Sequence, residues 1–135
     1  MTQLTPHFSL EEMACHDGTP YPEEWIEERL MPLLGAAEWI RNRCGFPLVV
    51  SSGYRTPSYN RRIGGAQNSQ HIQGRAMDLH PQGSLKTLQI VAGEARGQGL
   101  VVGIGYYADF VHIDQRIGRL ATWYGGRTNQ ENTTA

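Results

Sequence analysis

The sequence predicts an α+β domain in which N-terminal helices pack on a small, mainly antiparallel sheet. Three observations carry that expectation. Apolar residues recur at helical spacing through the N-terminal part of the chain, before most of the strand-like segments, and not in strict alternation with them. The segments after residue 45 are largely short, β-branched or alternating, and bounded by turn residues. Two of them, Val101 to Tyr107 and Phe110 to Asp114, are joined by a tight connection at Ala108-Asp109, as in an antiparallel hairpin. The chain has 135 residues, enough for one ordinary domain with its own core.

Ser9, followed three residues later by Glu12, is a capping-box pattern and predicts a short helix over residues 9–15. From Pro22 to Cys44 the residues Trp25, Ile26, Leu30, Leu33, Leu34, Ala37, Trp39 and Ile40 recur mostly at helical spacing. Pro32 interrupts or kinks that helix and Gly45 ends it. Trp25 and Trp39 fall on it as packing residues. Leu48 to Ser52 is apolar and β-branched, a strand. Thr56-Pro57 combines an N-cap with proline at the first helical position, opening a short helix to about Arg62. Residues 63–70 form a loop by composition. Ala76 to His80 alternates, with Met77 and Leu79 on one face and Ala76, Asp78 and His80 on the other. Ser84 caps a helix to about Arg96, and the two hairpin strands follow. Trp123 and Tyr124 come after the last predicted strand, where they cap the core or line the cleft, the core being the favoured placement. The polar stretch 125–135 reads as a tail, leaving 1–124 as a single domain.

Composition excludes several functions. The formal net charge is −1 with the two signs mixed, not the basic field that nucleic-acid binding requires. Apolar runs such as Leu48 to Val50 and Leu100 to Val102 are too short to span a bilayer. The first residues lack the charged and apolar regions of a signal peptide. Synthesis in the cytoplasm is therefore expected, and a substrate beyond the membrane would be reached by lysis or a secretion partner. Cys15 and Cys44 are expected as reduced thiols, and Cys15-His16 with Cys44 is too poor in ligands for a second metal site. A monomer is expected.

His71, Asp78 and His112 are the candidate ligands of a hydrolytic metal site, which keeps one position open. Asp78 stands between Met77 and Leu79, and a carboxylate on a core-like strand costs several kcal/mol unless paired or metal-bound. Phe110, His112 and Asp114 share one strand face, and Val111 and Ile113 share the other. Residue type and parity leave two readings open, a metal site and a set of incidental histidines. Gly103-Ile-Gly105 lacks the third glycine of a dinucleotide fingerprint. It reads as a strand whose small residues admit a close neighbour.

Three blocks in order settle the balance. Ser51-Ser-Gly-Tyr-Arg55 comes first. Ser69-Gln-His71-Ile-Gln-Gly74-Arg-Ala76-Met-Asp78 fits S-x-H-x-x-G-x-A-x-D, and Asp109-Phe-Val-His112 fits [DE]-x-x-H. Together they resemble the zinc D-alanyl-D-alanine carboxypeptidase family. That family also holds D-Ala-D-Ala dipeptidases and phage L-alanyl-D-glutamate endopeptidases, and shares its fold with the hedgehog signalling domain. The opening His7-Phe-Ser-Leu-Glu-Glu-Met-Ala-Cys15 resembles its small phage-associated branch. The resemblance implies one zinc ion on His71, Asp78 and His112, Asp109 as general base, Arg55 as transition-state stabiliser and Ser69 as a substrate contact. The implied function is hydrolysis of an amide bond in peptidoglycan stem peptides. The alternative is a non-catalytic zinc-binding module that docks on cell wall. Strand parity puts Asp109 on the face of Val111, so it reaches the metal only if the strand begins after it and the turn bends inward. His80 and Asp114 have the parity of His112 and are expected to orient a ligand histidine or to lie on the surface.

Overall fold

In a computed structural model, residues 1–125 are described; the predicted tail beyond Gly125 lies outside them. The first segment departs from expectation. The Ser9–Glu12 capping box forms, with Ser9 N–H on Glu12 Oε1 at 2.7 Å and Glu12 N–H on Ser9 Oγ at 3.4 Å. It opens only a 3-10 turn, Glu11–Met13, because Ser9 already belongs to a two-stranded ribbon of β1 (Gln3–Thr5) and β2 (Phe8–Ser9). Met13 O is taken instead by Tyr54 N–H at 2.9 Å.

The long helix is likewise broken where proline predicts. A 3-10 turn (Glu23–Trp25) and a π-helical stretch (Ile26–Leu30) precede α1 (Met31–Cys44). Pro32 has no N–H to return to the preceding turn, and the chain opens to wider hydrogen-bond spacing just before it. Gly45 ends α1 at φ 80°, its N–H bonding Arg41 O at 3.1 Å, a left-handed stop that a side chain would strain.

Five strands form the main sheet in the order β3 (Leu48–Ser52), β4 (Ala76–Pro81), β6 (Val111–Asp114), β5 (Gly103–Tyr106), β7 (Ala121–Tyr124). All neighbours are antiparallel except β5 and β7, which run parallel. Strand β7 was not expected: Trp123 and Tyr124 lie in a strand, not after the last one. Between β3 and β4 comes α2 (Pro57–Arg62), with the Thr56 side chain accepting Tyr59 N–H as predicted. Between β4 and β5 comes α3 (Leu85–Gly97), capped by Ser84.

One sheet face is the core. Met77, Leu79, Ile104, Val111 and Ile113 are fully buried with Leu33, Leu34, Ala37 and Ile40 of α1 and Leu88, Ala92 and Ala95 of α3. Each large apolar side chain so buried contributes about 1.5–3 kcal/mol. Trp25 and Trp39 pack at its margin, and both cysteines are free thiols. Among the described residues no helix is long and apolar enough to cross a membrane. Alternation then sends Asp78, His112 and Asp114 to the opposite face, away from the helices.

Candidate metal centre

The register of the sheet makes Asp78 and His112 direct cross-strand partners. His71 is delivered from the loop before β4. Atoms of the three side chains lie within 4.8 Å of one another, and all three residues are buried. Asp78 Oδ1 stands 3.2 Å from His71 Nε2 and 3.0 Å from His112 Nδ1. Among the described residues this is the one such group that could hold a metal, and Cys15, His16 and Cys44 do not assemble into another.

The outer nitrogens fix which ring atoms face the centre. His71 Nδ1 lies 2.7 Å from Gly53 O, a carbonyl that only accepts, so Nδ1 carries the proton. His71 Nε2 then presents a lone pair, and it is buried with no hydrogen-bond partner. His112 Nε2 lies 2.8 Å from Asp114 Oδ2, which turns Nδ1 toward Asp78. Asp114 is fully buried and clamped by Arg116, through Nη2 on Oδ2 at 2.7 Å and Nε on Oδ1 at 2.9 Å. Of the two expected orienting residues, Asp114 therefore holds a histidine of the candidate group. His80 does not; it stacks on Phe110 with ring centroids 5.0 Å apart.

Both glycines of β5 make room behind the centre. A Cβ on Gly103 would lie 2.4 Å from Asp114 Oδ2, and one on Gly105 would lie 2.5 Å from Trp123 Nε1. The neighbours that the small residues admit are thus the Asp114 carboxylate and the Trp123 indole. Trp123 tilts over His112 at 5.0 Å and donates its N–H to Tyr107 Oη at 2.7 Å. It is buried as expected, but in a small cluster with Tyr107 on the site face, separate from the main core. Tyr124, expected with it, is exposed because alternation along β7 turns it to the other face.

Electrostatics separates the two histidines. Burial holds the His71 pKa below the ordinary imidazole value, against the pull of Asp78. Burial also opposes the charge on His112, but Asp114 and Asp78 outweigh it and raise that pKa. Burial disfavours the Asp78 carboxylate, yet the two imidazoles hold it well below the usual range. Asp114 is held low in the same way, by His112 and Arg116 against burial. The set is one imidazole whose burial favours the neutral form, one whose carboxylate neighbours favour the protonated form, and one carboxylate. Once the His112 Nδ1 proton leaves, three donors of the types that zinc accepts face one point.

The Ser51–Arg55 block acquires a physical role. A register shift between Val50 and Ser52 brings Ser52 opposite Asp78. Ser52 Oγ accepts Arg55 Nε at 3.1 Å, and Gly53 supplies the carbonyl to His71. Arg55 is buried, with Nη2 3.7 Å from Asp78 Oδ2 and Nη1 donating to Asn60 Oδ1 at 3.1 Å. Asn60, which no sequence signal singled out, is itself buried and ties Arg55 to the 63–70 loop by donating to Ala66 O at 2.8 Å. Ser69 is fully buried, with its Oγ accepting His71 N–H at 3.1 Å.

Asp109 stands apart. Strand β6 begins at Val111, so Asp109 does precede it, as the parity argument required. Tyr107 N–H bonds Phe110 O at 3.1 Å and leaves Ala108 and Asp109 as the exposed tip of the hairpin. There Asp109 makes no hydrogen bond or ion pair among the described residues, and it is not part of the buried group.

Known proteins share this framework. The Peptidase M15 family model matches residues 6–114. A zinc D-Ala-D-Ala carboxypeptidase from Streptomyces albus G is 36% identical over 77 residues, covering 54% of this chain and 29% of its own length. The "Probable peptidoglycan L,D-endopeptidase MepK" of Haemophilus influenzae is 34% identical over 85 residues, covering 58% of this chain and 43% of its own. The matches thus span less than half the length of these curated relatives. The crystal structure of the L-Ala D-Glu endopeptidase ChiX from Serratia marcescens superposes with a TM-score of 0.53 at 16% identity. That match covers 70% of this chain and 85% of the other, a likeness of fold.

Proposed function

The chain belongs to the peptidase M15 family, and from that premise we propose that it is a zinc-dependent peptidase hydrolysing an amide bond in peptidoglycan stem peptides. The observation that carries the reading is the buried Nε2 of His71, which has no hydrogen-bond partner among the described residues. It stands 3.2 Å from Asp78 Oδ1, the oxygen that His112 Nδ1 also faces. In this reading His71 through Nε2, Asp78 through Oδ1 and His112 through Nδ1 hold one zinc ion. When bound, zinc supplies Lewis acidity and brings the pKa of its water to about 7. The names of the two curated relatives support both the metal and the substrate class.

The remaining roles belong to the chain's own groups. Arg55, permanently charged and held by Ser52 and Asn60, offers its guanidinium to the oxyanion that develops on the scissile carbonyl. Asp109, a carboxylate with no other partner among the described residues, takes the proton of the attacking water and passes it to the leaving amine. Ser69 holds the His71 backbone and, in this reading, serves as a substrate contact from the hollow that it borders. In this reading the protein acts as a monomer and is of phage or prophage origin. A module that only docked on cell wall would have no use for a buried arginine held at two points beside a metal ligand.

The test is incubation of zinc-loaded protein with purified muropeptides and identification of the products by mass spectrometry. Release of D-Ala, D-Ala-D-Ala or an L-Ala-capped fragment is expected and names the bond. Asp109→Asn is expected to lose about 10²–10⁴-fold in turnover while keeping its zinc. No cleavage of any muropeptide by zinc-loaded wild type would overturn the reading.

A further inference from the structure

Beside the loop that carries Ser69 and His71 lies a hollow of about 380 Å³, bordered by Arg29, Arg75, Ser69, Gln70 and Gln73. A second hollow of about 360 Å³, bordered by Asn60 and Arg61, shares Gln67 and Ile72 with the first. Among the described residues the linings of both hold three arginines and no carboxylate. The whole chain has 13 acidic residues against 12 basic ones, so this excess of one sign is local.

The two arginines of the larger hollow are placed but not neutralised. The Arg29 guanidinium lies 4.1 Å over the Trp25 ring, and its Nη1 donates to Gln73 O at 2.7 Å. Its Nε is buried and has no hydrogen-bond partner. Arg75 is fixed through its backbone, with N–H on Gln70 O at 3.1 Å and its carbonyl accepting Gln115 N–H at 2.9 Å. Its side chain makes no hydrogen bond or ion pair among the described residues. Both cations act on the Tyr21 hydroxyl, whose pKa is raised chiefly by burial with the two guanidiniums opposing. Like charges brought together without an acid, one with an orphaned donor, form a site complementary to an anion. The planar guanidinium fork matches a carboxylate in particular.

We propose that this hollow is a carboxylate subsite, in which Arg29 and Arg75 take a free carboxylate of the substrate peptide and so fix how the peptide runs past Ser69 toward the His71–Asp78–His112 centre. The proposal rests on the peptidase reading for the source of the carboxylate, and on the hollow alone for the recognition chemistry. The carboxamides of Gln70 and Gln73 can supply further donors at its wall.

The test is a binding titration of the full zinc-loaded chain at low temperature with two synthetic stem peptides. One carries free carboxylates and the other carries carboxamides throughout, and both are checked intact by mass spectrometry. Wild type is expected to bind the acidic peptide about tenfold or more tightly, with the preference fading as salt is raised. Arg75→Gln and Arg29→Gln are each expected to bring the acidic peptide within about twofold of the amidated one. Their affinity for the amidated peptide should stay unchanged. Arg75→Gln removes no side-chain hydrogen bond or ion pair among the described residues, so it separates recognition from folding. Equal or undetectable binding of both peptides by wild type, or a preference that survives in the Arg29→Gln/Arg75→Gln double variant, would overturn the subsite. Cleavage is scored separately. A carboxylate preference without hydrolysis would reject the peptidase reading and leave the subsite standing, and hydrolysis without the preference would do the reverse.

Discussion

Replacing Asp114 with asparagine changes one atom and reverses a hydrogen-bond pattern. In the wild type the carboxylate accepts from His112 Nε2 at 2.8 Å and from Arg116 Nη2, Nε and backbone N–H at 2.7, 2.9 and 3.0 Å. Four donors face two acceptor oxygens. An amide offers one oxygen and one NH₂ group, so either orientation turns a donor on a donor. With the amide nitrogen toward His112, the ring keeps its proton on Nδ1, the atom assigned to the metal. Loss of such an orienting partner costs about 10–100-fold in metal affinity, or roughly 1.4–2.7 kcal/mol. The assay is a chelator-competition titration of zinc on folded Asp114→Asn. Nitrogen-detected NMR of the metal-free proteins should show His112 protonated on both ring nitrogens in the wild type and on Nδ1 alone in the variant. A folded variant with wild-type zinc affinity and an unchanged His112 tautomer would refute the reasoning.

Two further outcomes follow from the same geometry. Gly103→Ala drives a methyl to within 2.4–2.6 Å of the Asp114 carboxylate. A loss of about 1–3 kcal/mol in denaturant unfolding is expected, together with weaker zinc binding, and an unperturbed variant would mean that the carboxylate is not confined there. The pKa shift of His112 gives a pH dependence. Its folded-state value is raised, so in the metal-free protein it contributes stability that is present below about pH 6.5 and lost as pH rises through the folded value. Zinc must displace that proton, so its apparent affinity is expected to climb by up to about tenfold per pH unit until the folded value is passed. A flat or falling affinity between pH 5.5 and 7.5 would contradict the assignment of His112 Nδ1.

Much of the site was legible in the sequence because its chemistry is local. Asp78 between two apolar residues, and His112 and Asp114 two apart on a strand, declare their face by alternation alone. The caps at Thr56 and Ser84 are likewise written in adjacent residues. Other features depend on partners distant in sequence. Strand β7 has only four residues and pairs in parallel with β5, a register that nothing within Ala121–Tyr124 encodes. The Ser9–Glu12 box reads as a helix start, but β1 claims Ser9 and Tyr54 claims the Met13 carbonyl. Asn60 matters through Arg55 and Ala66, and helix position alone does not reveal that. Asp114 had the right parity, but its role required knowing that Gly103 leaves room for its carboxylate and that Arg116 folds back onto it.

The central claim is that His71, Asp78 and His112 together hold one zinc ion. Native mass spectrometry of the zinc-loaded chain tests it most directly, with wild type measured beside Asp78→Asn and His112→Ala. One zinc per chain in the wild type and none in either folded variant is the predicted result. Wild type without zinc, or variants that keep a full equivalent, would contradict the account.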